Sequence, residues 1–218
     1  MNQKEFQKRF KGTEKDLVER FGHQRLEEMG FPVYFHSFPP ASYLGWERVR
    51  AAQKLLRGCS GDSALDFGSG LGVMLPFLTQ SYRHVTACER EVEVTQFVAT
   101  ELGYQSIEFI KKISECKPDT RFDAVVSLDV LEHVEDLDET MNWFVNVTAK
   151  DGVWVISGPT ENKFYKTARM IAGTRGKGHV RNIYDVFDSF PSNMKCEKIY
   201  TLPWGIPLFL VGKFRRIS

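Results

Sequence analysis

Residues 64 to 72 read Ala-Leu-Asp-Phe-Gly-Ser-Gly-Leu-Gly, and this short run constrains the fold more than any other part of the chain. An apolar stretch ends in Asp66 and breaks into Gly68, Gly70 and Gly72. That is the pattern of a buried strand feeding a tight turn and then a helix. Glycines let the backbone bend through positive φ and let a ligand lie directly against the main chain. Such turns belong to parallel α/β sheets, which bind ligands at the carboxyl ends of their strands.

Two ligand classes use a turn of this kind. A dinucleotide fingerprint, G-x-G-x-x-G/A, calls for a small residue at position 73, where this chain has Val73. Asp66 stands just before the glycines, where a carboxylate repels a pyrophosphate and attracts an ammonium group. S-adenosylmethionine (AdoMet) carries an ammonium and a sulfonium, so the charges favour it over NAD. Glu89 follows about twenty residues later at the end of an apolar run, placed to accept hydrogen bonds from both ribose hydroxyls. The bland alternative for Glu89 is an acid that caps the helix beginning near Glu91.

Composition bounds the rest. The chain has 218 residues, 42% hydrophobic and 26% charged, with a net charge of +1. It reads as a single domain (1–218) that buries a full core without staples. The near-neutral charge gives no electrostatic case for nucleic acid. Cys59, Cys88, Cys116 and Cys196 never form C-x-x-C, so neither zinc nor a disulfide framework is indicated. Cys88 reads as core. A reducing, cytoplasmic setting is expected. The charged first residues lack a secretory signal, and the apolar stretch Ile206 to Gly212 is far too short to cross a bilayer.

Along the chain, 1–57 read as an N-terminal helical cap. A helical region over 3–29 stops at Gly30 and Pro32, an aromatic, proline-punctuated loop covers 31–45, and a helix runs over 46–57. Strands are predicted at 63–67, 84–88, 106–110, 122–127 and 152–157, with helices near 72–80, 91–102 and 137–149. These place a ligand-binding core at 58–157. Residues 158–190 form an insertion: a helix over 162–172, a basic Gly-rich loop over 173–178 and a short helix over 182–189. Two C-terminal strands near 194–200 and 206–214 flank Pro203-Trp204-Gly205 and pair as a hairpin.

Four segments between about residues 60 and 160 resemble the class I AdoMet-dependent methyltransferases of the small-molecule type. They are Ala64–Gly72, Val85–Glu89, Phe122–Val134 with its Leu131-Glu132-His133 triplet, and Gly152–Ser157. The resemblance implies a Rossmann-like seven-stranded sheet of order 3-2-1-4-5-7-6, with strand 7 antiparallel and added N-terminal helices over the cleft. It also implies AdoMet as cofactor. Asp66 would hold its ammonium, Glu89 its ribose, and Gly68, Ser69, Gly70 and Gly72 would form the cradle. Many relatives carry an acid for adenine after the third strand, but here Ile113 stands near that place and would pack on the ring. Asp129 would lie beside the transferred methyl. Asp129, His133 and His179 are the catalytic candidates, with a structural role weighed against each.

The acceptor is less constrained. Six Lys or Arg and no acid lie between Glu161 and Asp185, whereas Asp129 to Glu139 holds six acids and no Lys or Arg. A charge run is most often a solvated face. The sharper reading is an anionic, sugar- or lipid-linked small-molecule acceptor, or contact with an anionic membrane. Ser127-Leu-Asp-Val replaces the Asp/Asn-Pro-Pro-aromatic motif of base methylases, so nucleic acid is not an expected partner. Asp129 with Glu161-Asn162 only loosely echoes a Mg²⁺ site, and no metal is expected. The reaction expected is transfer to an acceptor oxygen or nitrogen. The rivals are an NAD-dependent oxidoreductase and a non-catalytic AdoMet-binding partner subunit. Oligomeric state is not encoded in any motif.

Overall fold

The computed structural model describes residues 3–36, 39–162, 164–165 and 181–217. Seven strands form one sheet of order β3-β2-β1-β4-β5-β7-β6. They are β1 (Gly61–Phe67), β2 (Tyr82–Cys88), β3 (Ile107–Ile110), β4 (Phe122–Leu128), β5 (Thr148–Pro159), β6 (Met194–Leu202) and β7 (Phe209–Arg216). The first five pair in parallel. β7 runs antiparallel to β5 and to β6, as the sequence resemblance implies.

Period-two alternation explains why the sheet is covered on both faces. In the central strands Ala64, Ala124, Val126, Val153 and Val155 join one buried cluster. Their neighbours Leu65, Val125, Trp154 and Ile156 join a second cluster on the opposite face. Helices α5 (Pro39–Leu56), α6 (Leu75–Ser81) and α7 (Val92–Leu102) pack into the first. Helices α8 (Leu137–Val147) and α9 (Ile183–Asp188) pack into the second. Because every parallel strand ends on one edge, the loops after β1, β2, β4 and β5 converge there.

The N-terminal region differs from the sequence reading. It forms four short helices, α1 (Gln3–Gly12), α2 (Glu14–Phe21), α3 (His23–Glu27) and α4 (Phe31–Phe35), before α5. The expected loop over 31–45 is thus mostly helical. Pro32 and the Pro39-Pro40 pair occupy first turns, where a missing N–H costs nothing, so they begin helices instead of breaking them. Gly45 lets α4 and α5 meet, since a Cβ there would lie 2.5 Å from Val33 Cγ1. Phe10, fully buried, contacts Phe6, Tyr34, Phe35 and Trp46.

At the other end the hairpin forms, with Pro203 to Leu208 between its strands. Phe209 and Phe214 are core, while Trp204 is 80% exposed. The short helix expected over 182–189 is α9, capped by reciprocal bonds between Asn182 and Asp185. The predicted helix over 162–172 falls mainly outside the described residues, and the loop over 173–178 wholly so.

Because the N-terminal helices share the cluster that covers the sheet, Phe10→Ala is expected to lower stability by about 3 kcal/mol or more. Urea unfolding would show one cooperative transition at a lower midpoint. An unchanged midpoint would mean that the cap does not fold with the sheet.

Candidate functional site

The glycine turn is stitched to the end of β2. Gly68 and Ser69 donate their backbone N–H groups to Cys88 O at 2.8 and 3.2 Å. Gly68 has φ +71°, and a Cβ there would lie 2.2 Å from Val130 Cγ2. Gly70 has φ +50°, and its Cβ would stand 3.1 Å from Met29 O, so the backbone of the cap passes directly over the turn. Thr95 of α7 donates to Gly70 O at 2.6 Å. Gly72 closes the turn, donating to Ser69 O at 2.7 Å. The Ser69 hydroxyl is buried without a partner among the described residues.

Glu89 is half-buried at the tip of β2. Its Oε2 accepts the Gly70 N–H at 2.9 Å, and its Oε1 accepts the Glu91 N–H at 3.4 Å. The capping contact expected of the bland reading is present, in the bond from the Glu91 N–H, and Glu89 also holds the glycine turn. The bond to the turn is the tighter, and it leaves lone pairs on both oxygens for a diol. Asp66 lies behind it, 4% exposed. Burial first, and then the nearby Glu89 charge, push its carboxyl up to about 7. A group at that value is half-ionised near neutrality and gains most from an incoming cation.

The end of β4 holds a second centre. Asp129 adopts φ +58°, and its N–H donates to Ser157 O at 3.0 Å. Its Oδ1 accepts the Ser157 hydroxyl at 2.9 Å. Its Oδ2 meets Arg48 Nη1 of α5 at 2.6 Å. Arg48 is 5% exposed, and its guanidinium lies over the Phe209 ring at 4.2 Å. Its Nε finds no partner among the described residues. Both carboxylate oxygens of Asp129 are thus engaged, and the residue acts first as the anchor of Arg48.

Glu132 follows on a 3-10 turn, Leu131–His133, that turns it inward. It is 1% exposed and neither oxygen has a partner among the described residues. Burial first, and then the Asp129 charge, hold its carboxyl well above the usual range. His133, next along the turn, is exposed. Burial raises the hydroxyl of Tyr34 of α4 well above the ordinary phenol value, with the Arg48 charge opposing and the Asp129 and Asp66 charges adding to it.

Ile113 is half-buried on the 3-10 turn after β3 and packs against the second core cluster. Asn162 spends its amide on Pro207 O and the Tyr165 N–H. Among the described residues, no three His, Cys, Asp or Glu are grouped to hold a metal ion. His179 lies outside the described residues. Arg48, Tyr34 and Glu132 were not singled out as site residues from the sequence. For Arg48 the available signal was a lone arginine on the helix face shared with Val49, Ala52 and Leu56. For Glu132 it was an acid inside Val130-Leu131-Glu132-His133-Val134.

Known proteins share this framework. A family model described as a methyltransferase domain matches residues 35–188. A curated relative, the ubiquinone biosynthesis O-methyltransferase of Rickettsia bellii, is 29% identical over 143 residues. That match takes in 63% of this chain and 58% of the relative, so the chain spans well under two thirds of its length. Among solved structures, the N-methyltransferase NodS from Bradyrhizobium japonicum, bound to S-adenosyl-L-homocysteine, has a TM-score of 0.69. It is 17% identical, with 89% of this chain and 98% of that one covered. The magnesium protoporphyrin IX methyltransferase of Synechocystis, also with bound S-adenosylhomocysteine, has a TM-score of 0.65. It is 15% identical, with 93% and 100% covered. At these identities the solved structures establish the fold alone.

The Arg48–Asp129 pair carries a direct test. Arg48→Ala leaves the half-buried Asp129 carboxylate without its cation and is expected to destabilise the fold by about 2–3 kcal/mol, less than the loss of a partner in a fully buried pair. The double variant Arg48→Leu/Asp129→Asn should recover most of that loss in denaturant unfolding. Equal losses in the two variants would show that burial of the arginine stem, and not the charge pair, sets the cost.

Proposed function

The chain belongs to the class I AdoMet-dependent methyltransferases, and on that premise we propose that it moves a methyl group from AdoMet to an oxygen or nitrogen of a small-molecule acceptor. The observation that carries the donor half is the Glu89 bond to the glycine turn beside buried Asp66. The residues fit the donor. Gly68 and Gly70 hold the turn at positive φ close against Val130 and Met29, Ser69 offers an unpartnered hydroxyl, and Glu89 keeps acceptors for a ribose diol. Asp66 would take the ammonium. Arg48, paired with Asp129 at the end of β4, is the buried cation suited to the carboxylate. Ile113 would cover the adenine. When bound, AdoMet supplies a sulfonium methyl already activated for displacement.

The protein's own task is then to hold donor and acceptor collinear and dry. Asp129 fixes Arg48, Ser157 fixes Asp129, and the cap over Gly70 excludes water. With both Asp129 oxygens committed, the reading that asks least of these residues is an acceptor with an acidic nucleophile. A carboxylate or acidic hydroxyl needs no strong base. The basic stretch between Glu161 and Asp185 supports an anionic acceptor of this kind. The four cysteines are free, which fits a reducing compartment. Family membership sets aside the oxidoreductase rival.

Calorimetric titration with S-adenosylhomocysteine and NAD tests the donor site. One-site binding of the first and none of the second is expected. Asp66 must be ionised to pair with an ammonium, so affinity should fall as pH drops below about 7. The expected slope is about tenfold per pH unit, with proton release on binding. Asp66→Asn should bind more weakly and flatten the profile. A pH-independent wild-type affinity would remove Asp66 from the ammonium site, and binding of NAD alone would overturn the methyltransferase reading.

A further inference from the structure

Glu132 is 1% exposed, and neither of its carboxyl oxygens has a partner among the described residues. The 3-10 turn after β4 tucks it against the carboxyl end of β5. A Cβ at Gly158 would stand 3.6 Å from Glu132 Oε2 and 3.0 Å from Ile183 Cδ1 of α9. Ser127, one residue from the end of β4, is also fully buried with an unpartnered hydroxyl. Period-two alternation puts it on the face of Val125, which Leu131 and Ile183 cover. Orphaned polar groups cost free energy. Here they collect at the edge where parallel sheets bind ligands.

We propose that Glu132 binds the methyl acceptor, as hydrogen-bond donor to a carboxylate group of that small molecule. On the methyl-transfer reading of this edge, the acceptor is then a carboxylic acid. Burial opposes ionisation of Glu132 most strongly. Asp129 on its own loop and Glu161 after β5 add to that effect, and Arg48 of α5 works against it. α9, which packs on the turn, brings only apolar Ile183 to the same place. The carboxyl therefore favours its neutral form. A neutral acid held in an apolar site donates a hydrogen bond to an anion that its ionised form would repel. Arg48 already balances the Asp129 charge, so that charge does not oppose an incoming carboxylate. An ammonium-bearing acceptor would instead call for an ionised Glu132. A metal ion would find too few ligands. Both Asp129 oxygens are committed and His133 is exposed. No metal-ligating cluster exists among the described residues.

Two variants separate acceptor binding from a structural role. Glu132→Gln keeps an N–H donor in place, and Glu132→Leu removes it at similar volume. Benzoate and decanoate would be titrated by ligand-observed NMR into the full chain saturated with S-adenosylhomocysteine. Benzyl alcohol and decanol serve as controls without the carboxylate. We expect the carboxylates to bind and the alcohols not to. Carboxylate binding should weaken about tenfold or more in Glu132→Leu and be retained in Glu132→Gln. Wild-type affinity should fall as pH rises and Glu132 loses its proton, while Glu132→Gln stays flat. Glu132→Leu should also unfold at a higher urea midpoint, because it takes an unpartnered carboxyl out of the interior. A lowered midpoint would show a structural role and overturn the proposal. So would carboxylate binding that survives Glu132→Leu, binding that requires added magnesium, or no carboxylate binding at all. S-adenosylhomocysteine affinity should be the same in wild type and both variants. Failure of the wild type to bind it would count against the donor site, so the two failures are distinguishable.

Discussion

The hydrogen bond from the Gly70 N–H to the Glu89 carboxylate joins two parts of the chain that are useless apart. Gly70 belongs to the turn after β1, and Glu89 is the residue that follows β2. Parallel pairing puts Phe67 beside Cys88, so the two loops emerge together. Gly68 and Ser69 then close onto Cys88 O. That geometry fixes where the glycine turn sits and where a carboxylate waits beside it. It also brings the Glu89 charge near Asp66, helping burial hold Asp66 at a value that an arriving cation can change.

Arg48 does the corresponding work from the cap. A buried guanidinium is costly unless paired, and Asp129 can pair with it only if α5 lies across the end of β4. Because Asp129 is itself held by Ser157 of β5, the contact ties three elements around one ion pair. Phe209 of β7 stacks on the other side of the guanidinium. Cap closure, sheet order and the polar character of the acceptor side are therefore parts of one arrangement. Glu132 adds a carboxyl that favours its neutral form, because burial and the Asp129 charge both oppose ionisation.

Much of this was legible in the sequence, and the boundary of legibility has a physical cause. The glycine turn, Asp66, Glu89 and the strand pattern are local, set by spacing within single strand-turn-helix units. The sheet order could be read only through family resemblance. Arg48 and Tyr34 reach the site through tertiary packing of a cap whose prolines looked like breaks. Since prolines at first-turn positions favour helices, the aromatic segment folded into α4 and the start of α5. Glu132 was hidden by a 3-10 turn that buries it together with Leu131 and leaves His133 outside. The aromatic residues of the C-terminal hairpin divide between interior and surface. Phe209 and Phe214 are core, and Trp204 is open to solvent.

The most direct measurement is a crystal structure with S-adenosylhomocysteine bound. The account predicts both ribose hydroxyls on Glu89, the ammonium at Asp66, the carboxylate at Arg48 and the adenine beside Ile113. Ligand sulfur should point toward the carboxyl ends of β4 and β5, next to Asp129. A ribose held elsewhere, or an amino-acid end that touches neither Asp66 nor Arg48, would contradict it.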